Sequence, residues 1–89
     1  MDHNDKIFEK AKYLHQKDNI LGAIKLYEKL ISRSYRKAQV SYLLGTANLQ
    51  LKNYQKAINI LSLSIDSNPG NHNSYNNIGL AYSGIKDFT

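Results

Sequence analysis

The sequence predicts an all-α protein built from stacked antiparallel helical hairpins, about five helices in a row. Three observations predict it. Residue types recur at a spacing of thirty-four: Ala23 with Ala57, Gly45 with Gly79, Asn19 with Asn53 and Asp87, and Ile20 with Tyr54 and Phe88. Inside each period, apolar residues return every three or four positions, the spacing of one helix face. One Pro interrupts 89 residues rich in Leu, Ala, Lys and Asn, a composition that favours helices over strands.

The first period spans 4–37. Its first helix carries Ile7, Ala11 and Leu14, and its second Ile20, Ala23, Ile24, Tyr27, Leu30 and Ile31. The second period, 38–71, repeats this with Val40, Leu44 and Leu51, then Tyr54, Ala57, Ile58, Leu61 and Ile65. The third, 72–89, holds only one such stripe, Tyr75, Ile78, Tyr82 and Ile85. Asn19, Asn53 and Asp87 precede the second helix of each unit. Their short side chains suit the N-cap, where a side-chain oxygen accepts from unpaired helix N–H groups. Pro69-Gly70 ends the second unit, because proline disfavours helical geometry in the residue before it, and Asn71 is placed to cap the next helix. Since 72–89 supplies only half a unit, the expectation is one continuous repeat domain, truncated within a longer array, with self-association through its open end a consequence.

The period and these residues resemble the tetratricopeptide repeat. The second unit supplies Leu44, Gly45, Ala57, Leu61, Ser64 and Pro69; the third Tyr75, Ile78, Gly79 and Tyr82; the first Ile7, Ala11, Leu14, Ala23, Tyr27 and Leu30. Departures are Lys10, Ser41 and Asn48 at apolar positions and Tyr35 in place of Pro. The resemblance implies a right-handed α-α superhelix, or solenoid. Small residues (Ala11, Ala23, Gly45, Ala57, Gly79), with Pro69 at a turn, would then serve packing. It also implies that the first helix of each unit lines a concave groove. The groove residues so implied are Phe8, Lys12 and His15, then Tyr42, Thr46 and Leu49, then Asn73, Asn76, Asn77 and Leu80. This mixture of apolar anchors and amides suits a bound peptide or partner segment, with an acidic end matching Lys12 and His15. The clamp of chaperone-tail-binding members is absent: its positions hold Phe8, Lys12, Leu43, Asn73 and Asn77. The asparagine ladder of glycosyltransferase-linked arrays matches only at Asn77, against Glu9 and Leu43.

Charge adds a competing class. The net charge is +5, and residues 4–37 alone carry nine Lys or Arg against four acids. Such a region attracts acidic partners or nucleic acid, but its cations spread around both helices rather than along one face with stacking aromatics. Nucleic acid is therefore the weaker expectation. Against catalysis stand three scattered histidines without metal-ligand spacing, no phosphate-cradling glycine loop and no acid pair. No enzyme, metal or cofactor is expected, although a substrate-recruitment arm of a larger enzyme, such as a glycosyltransferase, stays open. With no Cys, no apolar leader and no eighteen-residue apolar run, a cytoplasmic protein without a membrane span is expected.

Overall fold

The computed structural model describes residues 2–88, with side chains through Lys86. Five helices follow one another: α1 His3–Gln16, α2 Ile20–Ser32, α3 Lys37–Gln50, α4 Tyr54–Ser67 and α5 His72–Phe88. Each packs on the next, α3 also meets α5, and the result is a flat, elongated body of 44 × 27 × 18 Å. Among the described residues, no helix is long and apolar enough to cross a membrane.

The helices form two layers. In one, the His15 ring of α1 bonds Gln50 of α3, and Asn77 of α5 bonds Thr46 of α3. In the other, Lys56 of α4 and Glu28 of α2 form an ion pair at 3.3 Å. Between the layers lies the core. Phe8, Tyr27, Leu30, Val40 and Leu61 are its largest apolar members and are essentially inaccessible. Small residues let the layers close: Ala11, Ala23 and Ala57 are fully buried. At Gly45 a Cβ would lie 2.5 Å from Leu61 Cγ, closer than real atoms approach.

Three of the turns share one geometry. After α1, Asp18 adopts a left-handed backbone (φ 67°), the Asn19 N–H donates to Leu14 O, and the Asp18 N–H donates to His15 O. After α3, Lys52 (φ 63°) repeats this with Asn53 to Asn48 and Lys52 to Leu49. After α2, Ser34 (φ 54°) does the same with Tyr35 to Leu30 and Ser34 to Ile31. This is the Schellman ending, which satisfies the last helical carbonyls through a left-handed residue, usually glycine. Here no glycine is used.

The caps differ from the expected series. Asn19 caps α2, its Oδ1 accepting from the Gly22 N–H at 3.0 Å. Asn71 caps α5, accepting from the Asn73 and Ser74 N–H groups. Asn53 precedes α4, yet its side chain makes no cap bond and instead donates to Asn48 Oδ1. Asp87 starts no new helix: α5 continues through it to Phe88. The Asp87 side chain itself lies outside the described residues.

Where Pro was expected at residue 35, a clasp is found. The Tyr35 ring meets the buried Phe8 edge-on, with centroids 5.7 Å apart. Its hydroxyl donates to the Asp5 carboxylate, and the Arg36 guanidinium lies over the Phe8 and Tyr35 rings. The bond from Tyr35, more than any other influence, holds the Asp5 carboxyl below the usual carboxylate range. The same bond pushes the Tyr35 hydroxyl up.

Candidate functional site

The face formed by α1, α3 and α5 carries the candidate groove, and helical geometry decides who reaches it. In α3, Val40, Leu44 and Ala47 turn into the core, so Gln39, Tyr42, Thr46 and Leu49, rotated around the axis, face outward or sit half-buried. In α5, Ser74 and Ala81 are buried against α4, leaving Asn73, Asn76 and Leu80 exposed and Asn77 half-buried.

An open cleft of about 590 Å³ lies between the N-terminal half of α3 and the turn leading into α5. Ala38, Gln39 and Tyr42 line one wall, and Asn68, Asn71, His72 and Asn73 the other. Its lining is rich in amides and carries one phenol, so it offers donors and acceptors beside an apolar ring. Buried hydroxyls anchor this place. The Ser64 hydroxyl donates to Ala38 O at 3.2 Å, which leaves its oxygen to accept from the Ser74 hydroxyl at 3.0 Å and the Asn71 amide at 3.4 Å. One serine of α4 thereby ties together both walls. Further along, Asn77 Nδ2 donates to Thr46 Oγ1 at 3.1 Å, and the Thr46 hydroxyl donates to Tyr42 O at 2.8 Å.

The basic end is engaged internally. Lys12 pairs with Glu9 at 3.0 Å and lies over the Phe8 ring. The His15 ring bridges three helices. Gln50 Oε1 can only accept, so Nε2–H donates to it at 2.6 Å, and in the neutral ring Nδ1 accepts the Tyr27 hydroxyl at 3.0 Å. Burial pushes the Tyr27 hydroxyl up to about 12, so it remains a donor at neutral pH.

Four expected residues fall elsewhere. Phe8 does not line the groove: it is 1% exposed, part of the core, and covered by Tyr35. Its position is the α1 counterpart of half-buried Tyr42, but the loop after α2 folds over it. Gly79 does not serve helix packing among the described residues: a Cβ there would meet nothing within 4 Å. The glycine of α5 that does is Gly84, where a Cβ would fall 2.3 Å from the Tyr54 ring. Sequence spacing gave no signal for Gly84, because the contact depends on the start of α4 crossing the end of α5. Tyr75 and Tyr82, placed in the apolar stripe of α5, are 50% and 58% exposed. Among the described residues, no three His, Asp or Glu side chains gather as a metal-binding group.

Residues 38–71, which run from the second residue of α3 through the turn and α4 past the Pro69-Gly70 corner, match the family model of the tetratricopeptide repeat. No curated protein matches the chain.

Proposed function

We propose, from the premise that the chain belongs to the tetratricopeptide-repeat family through residues 38–71, that it is a protein-interaction scaffold holding a partner segment against α1, α3 and α5. Repeats of this family generally mediate protein–protein interaction, and their fold is typically non-catalytic. On this reading 4–37 and 72–88 are further units in the same register. The single observation that carries the groove reading is the α3–α5 cleft, whose walls bring Gln39, Tyr42, Asn71 and Asn73 together around open space.

The chemistry suggests the ligand. Amides of Gln39, Asn73 and Asn76 can pair with a peptide backbone, and Tyr42, Leu49 and Leu80 offer apolar contact for its side chains. Because Lys12 is matched by Glu9 and His15 by its two bonds, we read the preferred segment as one anchored by apolar side chains, with acidic residues secondary. Selection from a random peptide-display library on the immobilised chain tests this. Tyr42→Ala and Asn73→Ala should each weaken the selected peptides at least several-fold, as truncation of an interface residue that matters costs more than about 1 kcal/mol. Unchanged affinity in both variants would contradict the groove.

A further inference from the structure

The thirty-four-residue register relates two corners of the fold, one closed and one open. At the corner between α2 and α3, the Tyr35 ring lies edge-on to Phe8 with centroids 5.7 Å apart, and its hydroxyl donates to the Asp5 carboxylate. The Arg36 guanidinium lies over both rings, and Phe8 is left 1% exposed. Thirty-four residues on, Phe8 becomes Tyr42, Asp5 becomes Gln39, Tyr35 becomes Pro69 and Arg36 becomes Gly70. The platform is kept: Gln39 and Tyr42 stand three residues apart on α3, as Asp5 and Phe8 do on α1, and both line the α3–α5 cleft. The cover is not kept. Pro69 is too short to lie across an aromatic ring and is not part of the cleft wall, and Gly70 has no side chain. Tyr42 is therefore only half-buried, beneath about 590 Å³ of open space. Its walls are α3, the start of α5 and the turn between α4 and α5, so the opening comes from Pro69 and Gly70.

We infer that the partner segment carries a tyrosine whose ring seats edge-on to Tyr42 and whose hydroxyl donates to Gln39 Oε1, as Tyr35 does on Phe8 and Asp5. This inference rests on the groove reading and names the side chain that the groove selects. Two aromatic rings at an edge-to-face angle attract each other beyond the area they bury. Gln39 is exposed and supplies an acceptor where the closed corner has a carboxylate. Its amide is neutral, so the bond is weaker than the charge-assisted one to Asp5. A phenylalanine would fill the same space but bring no donor to Gln39, and an aliphatic side chain would lack the ring contact as well. The lining holds no Asp, Glu, Lys or Arg, so shape and one hydrogen bond select the ring, not net charge. On the opposite wall, the Asn71 and Asn73 amides are placed for the peptide backbone on either side of the tyrosine.

A random heptapeptide library, displayed and selected on the immobilised full chain, provides the probes. Binders that shift the Tyr42 and Asn73 amides support the groove on its own terms, and their sequences then decide this inference. The expected binders share a tyrosine at one position. Replacing that tyrosine by alanine in the peptide should weaken binding about tenfold or more, and replacing it by phenylalanine about threefold. Gln39→Ala, at an exposed residue of α3, should bring the tyrosine peptide down to the affinity of its phenylalanine version and leave that version unchanged. Binders that map to the cleft without a shared tyrosine overturn the inference while the groove reading stands. So does a difference between the tyrosine and phenylalanine peptides that survives Gln39→Ala. A library that yields no binder, or binders confined to α2 and α4, overturns both readings together.

Discussion

At the residue scale, two glycines in one register separate packing from propensity. Gly45 has the Leu61 side chain where its Cβ would be, and Gly79 has empty space. Alanine gains about 1 kcal/mol over glycine within a helix, while overpacking costs about 1–3 kcal/mol. Urea denaturation at low protein concentration should therefore show Gly79→Ala more stable than the parent and Gly45→Ala less stable. Equal shifts would mean that Gly45 is not a close-contact site. Ser41 offers a second test. Its hydroxyl is fully buried and makes no hydrogen bond. An unpaired buried polar group costs about 1–3 kcal/mol, so Ser41→Ala should leave stability equal or raise it, by about 1 kcal/mol. A drop in melting temperature would show that the hydroxyl is paired in solution. The sequence marked Ser41 and Asn48 as departures without saying how they are accommodated. The answers differ: Asn48 donates to Leu44 O and accepts from Asn53, whereas Ser41 stays unpaired.

At the element scale, the turns hold what the sequence concealed. The helices were legible because their apolar spacing is local, and the corner at Pro69-Gly70 because its residue types are restrictive. The Schellman endings at Asp18, Ser34 and Lys52 were not, since the residue that normally announces a left-handed position is missing from all three. Left-handed geometry costs a residue with a Cβ roughly 1–2 kcal/mol. Lys52→Gly, at an exposed site, should accordingly raise the unfolding free energy by about 1 kcal/mol, and lowered stability would refute the strain. The Phe8–Tyr35 clasp was equally hidden, because it joins residues of α1 to a loop that spacing alone leaves free. It makes a pH prediction. The folded Asp5 pKa is depressed, so its contribution is present above the ordinary carboxylate value, about 4, and is lost as pH falls through the lower folded value. Tyr27 and Tyr35 are raised, so their contribution is full below about pH 10 and fades as pH climbs from there toward the folded values. Thermal melts of Asp5→Asn and Tyr35→Phe should lose the acid limb of the parent's stability profile; an acid limb of unaltered size would place it elsewhere.

At the scale of the whole molecule, a thirty-four-residue register predicted five helices in a row and also why α1 and α5 differ from α3. Among the described residues each meets fewer helices than α3 does, and Tyr13 is 57% exposed while Ala47, its counterpart, is buried. The groove was legible only in part. Register named the helix faces, but could not show that Phe8 is covered, that His15 is a strut between α1, α2 and α3, or that Ser64 ties the cleft walls together. Those depend on loops and on long-range pairs that no local pattern encodes. On the proposed reading the α1–α3–α5 face binds a partner segment. Amide and side-chain chemical-shift mapping of the labelled chain with a display-selected peptide tests it. Shifts should group at Gln39, Tyr42, Thr46, Asn73 and Asn77, with Lys25, Asn59 and Leu63 of the opposite layer unmoved. Shifts grouped on α2 and α4 instead, with the cleft residues silent, would contradict it.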